Sequence, residues 1–256
     1  MHYVPGPPLS EFVSLFWYFR GHEVSNAKER VLPTGTVDLI IRLDSARTSD
    51  SGIYGPRTRS VVIQTTSNQE LLGIHFKPGG AFPLLQFPVA ELQDRGISLG
   101  DLCREDEAQQ VLGLLHETPT GQGKFRVIEQ WLLQLIRKEF HSHPAVTFAM
   151  RAFLTGPYGS TAEVADKTGY SHRHFIELFR NEVGLTPKRF HRLYRFRRVI
   201  QAVRQQTDVD WVDLGISLGY FDQAHLIHDF REFCGLTPTQ YLGLRTSFPN
   251  HVRIPD

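Results

Sequence analysis

Short apolar runs broken by turn residues fill the first hundred positions of the chain. Phe12 to Phe19 is rich in aromatic side chains, and Val37-Asp38-Leu39-Ile40-Ile41-Arg42-Leu43 has a β-branched centre. Val61-Val62-Ile63-Gln64 is a shorter run, and Leu71 to Phe76 stops at Lys77-Pro78-Gly79-Gly80. Runs of this length bounded by Gly and Pro predict strands, and several in succession predict a small β-sandwich or barrel. From Leu99 onward the apolar positions take helical spacing. Glu107 to His116 predicts one helix. Phe125 to Phe140 predicts a longer one, with Phe125, Ile128, Leu132, Leu135 and Ile136 at i, i+3, i+4 steps. Trp131 and Leu133 lie off that narrow stripe, which leaves two readings of the helix: packing on its own β-domain, or contributing a homodimer seam. His141-Ser142-His143-Pro144 follows, and its proline predicts a break near a domain boundary.

The second half of the chain contains one pattern twice. Gly169-Tyr170-Ser171 leads into Phe175, Leu178 and Phe179, then Gly184-Leu185-Thr186-Pro187 and Phe190. Gly219-Tyr220-Phe221-Asp222 leads into Leu226 and Phe230, then Gly235-Leu236-Thr237-Pro238 and Tyr241. Ser171, Phe179, Gly184, Pro187 and Phe190 match Asp222, Phe230, Gly235, Pro238 and Tyr241 at a constant offset of 51, whereas Gly169 and Gly219 differ by 50. One inserted residue confined to a turn is what two related folded units tolerate. Each copy predicts a short helix (Thr161 to Thr168; Val212 to Leu218), a glycine able to take positive φ, and an N-cap, Ser171 or Asp222, opening a second helix. Thr-Pro then opens the next helix.

In each second helix some side chains do not face inward. These are His172, Arg173, Ile176, Glu177 and Arg180 in the first copy, and Gln223, Ala224, Ile227, His228 and Arg231 in the second. Arg and Gln pair bidentately with guanine and adenine edges in the major groove, and Ala and Ile meet the thymine methyl. Between the copies, Lys188, Arg189, Arg192, Arg195, Arg197, Arg198 and Arg204 occur without an acidic residue, interleaved with Leu193, Phe196, Ile200 and Val203. A charged run is commonly only a solvated helix face. Placed between two groove-reading units, these cations predict contacts to backbone phosphates, with Lys188, Arg189, Arg192, Arg195, Arg197 and Arg198 as the contacting set.

Composition alone would not have pointed to DNA. The 256 residues carry a formal charge of +1, with 41% apolar and 21% charged residues, which describes a globular protein of two domains. Residues 1–150 hold 14 Lys/Arg against 16 Asp/Glu, and residues 151–256 hold 14 against 11, so the basic character sits in the second part. Two distant cysteines, Cys103 and Cys234, predict neither a disulfide framework nor a Cys-rich zinc site. The N-terminus has no basic segment before an apolar stretch, and no run of about 18 apolar residues occurs, so a cytoplasmic protein without a membrane span is expected. Gly-rich phosphate loops, Gly-x-Ser-x-Gly elbows and His-Glu-x-x-His motifs are absent, which argues against an enzyme. His141-x-His143 and His172-x-His174 are the close histidine pairs. His75 stands alone among the strands, so neither a metal nor another cofactor is expected.

Gly184-Leu185-Thr186-Pro187, Gly219-Tyr220-Phe221-Asp222-Gln223-Ala224-His225-Leu226 and Gly235-Leu236-Thr237-Pro238-Thr239-Gln240-Tyr241 resemble the AraC/XylS DNA-binding domain over residues 145–245. The resemblance implies two helix-turn-helix units joined by a helix and entering adjacent major-groove segments of one double-stranded DNA site. The family often has Arg where Glu177 and His228 stand; Glu177 would repel phosphate or accept from cytosine. The segments Leu32 to Ile40, Gly55-Pro56-Arg57-Thr58 and Gly73 to Phe82 look like an N-terminal module of one branch of these regulators. The expected fold class is therefore α+β with two domains: a β-rich, cupin-like N-terminal domain with following helices over residues 1–142, and an all-α double helix-turn-helix domain over 143–247. Residues 248–256 would form a tail. The resemblance implies RNA polymerase as a partner. For the N-terminal domain, a small-molecule effector site and a purely dimerising role both stay open.

Overall fold

Strand β4 (Asp38–Arg42) turns Leu39 and Ile41 inward, the period of two that pleated backbone imposes, and β2 (Val13–Arg20) buries Val13 and Phe16 on either side of a register shift between Val13 and Leu15. In the computed structural model, which describes all residues except 22–26, 66–67, 86, 136–141, 156–159, 207, 247, 249 and 255–256, these strands belong to one antiparallel sheet. Its other members are β1 (His2–Tyr3), β5 (Gly52–Tyr54), β7 (Glu70–Phe76) and β8 (Gly96–Ser98), in the order β1-β2-β7-β4-β5-β8. Ile74 of β7 pairs with Phe16 on one side and Leu39 on the other, so the three long strands share one apolar layer. Gly73 is obligatory on the opposite face of β7, because a Cβ there would lie 2.0 Å from the Trp17 ring.

Four helices cover this layer: α1 (Phe82–Leu85), α2 (Leu99–Leu102), α3 (Glu105–Glu117) and α4 (Gly121–Leu135). Phe125 and Ile128 of α4 are buried, and the Phe125 ring stacks on Tyr3 and Phe16 at centroid distances of 5.5 and 6.0 Å. The predicted Glu107–His116 and Phe125–Phe140 helices are thus α3 and α4, with Ile136 and the rest of the second lying outside the described residues. The stripe packs on the β-domain. Trp131 is buried with it and is not part of an exposed seam, whereas Leu133 remains 43% exposed. The β-rich expectation is met, but the six-stranded sheet ends at β1 and β8, so among the described residues these strands close no barrel.

A second sheet joins the two halves of the chain. Its strands are β3 (Ala27–Val31), β6 (Val61–Thr65) and β9 (His251–Arg253), in the order β6-β3-β9. β9 lies in the segment predicted as a tail; Val252 is fully buried, and His251 Nδ1 meets Glu29 Oε2 at 2.7 Å. The tail reading missed it because a three-residue strand has too few positions to show a period.

The helical half comprises α5 (Pro144–Thr155), α6 (Thr161–Lys167), α7 (His172–Val183), α8 (Pro187–Ala202), α9 (Trp211–Ser217), α10 (Gln223–Phe233) and α11 (Pro238–Leu244). Its core includes Val146, Phe153, Phe179, Phe196 and Phe230 and also receives Leu32 from the N-terminal half. No helix of the described residues is long and apolar enough to cross a membrane.

The two halves touch closely at the end of α7. Gly184 terminates that helix with φ 85°, and a Cβ there would lie 2.5 Å from Pro56 Cγ and 2.8 Å from Val89 Cγ1. Gly169 has φ 76° with no neighbour within 4 Å of an added Cβ. Left-handed strain of about 1–2 kcal/mol applies to alanine at either site, but only position 184 adds a clash between the halves. Gly184→Ala should therefore lower the melting temperature more than Gly169→Ala in scanning calorimetry. Equal losses would show that Pro56 and Val89 do not hold this end of α7.

Candidate nucleic-acid interface

Each repeat folds as a short helix, a turn and a longer helix. α6 starts at Ser160, whose hydroxyl accepts from Glu163 N, and α9 starts at Asp210, whose carboxylate accepts from Val212 N and Asp213 N. Gly169 and Gly219 take φ of 76° and 87° in the turns, as the sequence predicts. Ser171 Oγ then accepts from His174 N at 3.3 Å and Asp222 Oδ1 from His225 N at 2.7 Å, satisfying donors that a helix start leaves open. Thr186 caps α8 and Thr237 caps α11, the latter in a reciprocal capping box with Gln240.

Phe175 and Phe179 of α7, and Leu226 and Phe230 of α10, are buried, which turns the opposite faces outward. His172, Arg173, Glu177 and Arg180 are exposed on α7, with Ile176 half-buried beside them. On α10, Gln223, Ala224, His228 and Arg231 are exposed and Ile227 is half-buried. His228 Nε2 lies 3.6 Å from Glu232 Oε2, so that ring is partly engaged on its own helix.

The connecting helix differs from its sequence reading. The segment itself contains no acid, but α10 supplies two. Asp229 has no solvent exposure and sits between Arg192 (2.6 Å) and Arg195 (3.5 Å), while Glu232 takes Arg192 (2.5 Å) and Arg189 (3.0 Å). Arg195 also donates to Gly219 O at 3.0 Å and to His225 Nε2 at 3.0 Å, with its guanidinium 4.3 Å from the Tyr220 ring centroid. Burial, with Arg195 alongside, pushes His225 below its ordinary range, so the ring is a neutral acceptor. Arg197 turns away from α10 and donates to Thr34 O at 2.9 Å. Four of the six cations assigned to phosphates thus hold the protein together, and Lys188 and Arg198 are exposed. A visible signal was Asp229 itself: an acid next to Phe230 on the apolar stripe of a helix must be buried against a cation.

The chain that leads into α5 is tied to the end of α7. Glu182 accepts from His143 N at 2.8 Å, and its other oxygen is buried without a partner. His143 also places its ring edge-on to Tyr170, at 5.2 Å; His141 lies outside the described residues. Burial raises the Glu182 carboxyl to about 7 against hydrogen bonds from His143 and Ser142 that lower it. A carboxyl with a raised folded-state pKa favours folding at low pH, and that contribution fades as pH rises from the unfolded value of about 4.3 through the folded one. Between pH 5 and 8 the wild type should therefore lose more thermal stability than Glu182→Gln. Parallel melting profiles for the two proteins would show that Glu182 stays ionised.

Elsewhere, Leu39, Phe76, Leu84, Trp131 and Leu132 line an apolar cavity of about 450 Å³ between sheet and helices, with Arg104 and Glu107 at its rim. His75 is already partnered: Nδ1 lies 2.5 Å from Asp38 Oδ1 and Nε2 lies 3.3 Å from Thr36 Oγ1. Among the described residues no group of three or more His, Cys, Asp or Glu is arranged to hold a metal.

Residues 164–243 match the helix-turn-helix domain family, and residues 1–98 match a domain family of unknown function, DUF6597. The chain is 28% identical over 142 residues to the HTH-type transcriptional regulator ArgR of Pseudomonas aeruginosa, a stretch covering 54% of this chain and 43% of that protein. The chain therefore spans less than half the length of this curated relative. Two structures of ToxT from Vibrio cholerae are similar at 11% and 9% identity, each over 89% of this chain and over 93% and 92% of ToxT, with a TM-score of 0.39 in both cases. The capped helices α7 and α10 and the connecting helix α8 all lie within the matched residues 164–243, so this part of the chain is a helix-turn-helix domain.

Proposed function

We propose that the protein recognises one double-stranded DNA site by entering adjacent major-groove segments with α7 and α10, and thereby controls transcription by RNA polymerase in the cytoplasm. The observation that carries this reading is the pair of capped helices whose exposed faces are polar and whose mutual placement is fixed through α8 by Asp229. Arg173 and Gln223, exposed in the first turn of their helices, are the primary base readers. His172, Ile176, Glu177 and Arg180 complete one reading face, and Ala224, Ile227, His228 and Arg231 the other. Lys188 takes a backbone phosphate. Arg189, Arg192 and Arg195 instead position the second unit. Residues 143–247 make up this DNA-binding domain and residues 1–142 the controlling one, to which the strand of the 248–256 segment returns.

Base and phosphate contacts separate in a binding experiment. Arg173→Ala and Gln223→Ala should each lose about 1–3 kcal/mol at one base pair while nonspecific affinity stays unchanged. Lys188→Ala should weaken all sequences alike and reduce the salt slope by about 1. Uniform losses from Arg173→Ala and Gln223→Ala would remove the base-reading assignment.

For the controlling domain, two observations support two roles. The 450 Å³ apolar cavity fits a small-molecule effector. Leu133 on α4 and Leu114 on α3, 43% and 48% exposed, fit a homodimer seam. Leu133→Glu should lower dimer content in sedimentation; a wild type that is monomeric at all concentrations, with and without DNA, would remove the seam.

A further inference from the structure

Three of the cations that the sequence places along the connecting segment line a cleft. Between Leu32-Pro33 of the N-terminal half and the outer face of α8 lies a cavity of about 390 Å³, lined by Arg197, Arg198 and Arg204 together with Tyr194, Gln201 and Asn250. Its floor is the apolar surface of Leu32, Phe196 and Ile200. No acidic residue lines it. The contrast within one helix is sharp: Arg189, Arg192 and Arg195 meet Asp229 and Glu232, whereas among the described residues no carboxylate lies within ion-pair distance of Arg197 or Arg198. Arg197 is half-buried here, with a backbone carbonyl, Thr34 O, as its acceptor. Burial lowers the Arg197 pKa, and Asp38, which opposes that shift, acts from beyond contact, so the guanidinium has N–H donors to offer an anion at close range.

We propose that this cleft binds a small multiply charged organic anion, a carboxylate or phosphate compound with a short carbon skeleton. Its charged groups would meet the guanidiniums of Arg197, Arg198 and Arg204, and its carbon skeleton would rest on Leu32 and Ile200. The site lies where the two halves meet. An anion that takes the remaining N–H groups of Arg197 pulls on the same guanidinium whose Nη1 donates to Thr34 O, so its occupancy bears on the bond by which the N-terminal half holds α8. Thr34 is itself joined by its hydroxyl to Thr36 (2.7 Å), which lies beside His75 of β7, so the disturbed contact continues into the first sheet.

The test uses the full chain, with citrate and inorganic phosphate as probes and chloride at equal ionic strength as the reference. Either probe should raise the melting temperature along a saturating curve, as binding to the folded state requires. Solute exclusion instead grows steadily with concentration. Arg197→Gln should abolish the saturating part. Gln201→Glu, an exposed position where a carboxylate is tolerated by the fold, should weaken the apparent affinity at least tenfold, and it serves if Arg197→Gln fails to fold. Arg173→Gln, on the far reading helix, should leave the curve unchanged. The proposal is overturned if neither probe saturates. It is equally overturned if Gln201→Glu binds as the wild type does, or if short duplex DNA alone protects the cleft arginines from chemical modification, which would make a DNA phosphate the occupant. None of these readouts depends on sequence-specific DNA recognition, so they can fail or succeed separately from it.

Discussion

A carboxylate with no access to water holds the helical half in its working arrangement. Asp229 lies on the inner face of α10, between Arg192 and Arg195 of α8. An isolated charge buried in this way would be strongly unfavourable; here the two guanidiniums and their own partners remove that penalty. The interaction is directional as well as strong. Arg195 reaches on to Gly219 O and His225, the turn and first turn of the second unit, so the placement of α10 relative to α8 is set at both of its ends. Truncating one partner of such a group leaves the other charges uncompensated, which is why buried pairs specify geometry even where they add little net stability.

The same logic governs the contact between the halves. The carbonyl of Cys234, just past α10, accepts from Arg30 at 2.9 Å and from Ser60 at 3.2 Å, while the end of α7 rests against Pro56 and Val89. Helices α7 and α10 are therefore gripped at their C-terminal ends by the N-terminal half, with the exposed residues of their first turns left clear. Any ligand or partner that prefers one placement of these loops over another changes the spacing of the two reading faces, and it can do so only to the extent of that preference. A shift in spacing acts on both helices at once, because they share the clamp.

Much of this could be read from residue order. The offset of the two repeats, the turn glycines and the Ser171 and Asp222 caps each follow from a local rule that needs no tertiary partner, and the structure places them within a residue of expectation. Strands β2, β4, β6 and β7 were legible for the same reason: each is a run long enough to show its period. Short strands were not. β1, β5, β8 and β9 have three residues or fewer and owe their existence to the neighbours they pair with. Pro144 was read as a break after the preceding helix, and it also opens α5, a position where its missing N–H is harmless.

The connecting helix shows where residue order stops being informative about charge. Lys188, Arg192 and Arg197 look alike in a sequence, and a count of cations against acids within the segment treats them as equal. Folding brings in α10 on one side and the Leu32–Thr34 segment on the other, and the three acquire different surroundings: open solvent for Lys188, a buried carboxylate for Arg192, a backbone carbonyl and an acid-free cleft for Arg197. Electrostatic free energy depends on distance and dielectric surroundings rather than on composition, so neighbours remote in sequence decide it. A basic helix between two reading units is thus no measure of how many phosphates it contacts. Its salt dependence would report only those cations that folding has left without a partner of their own.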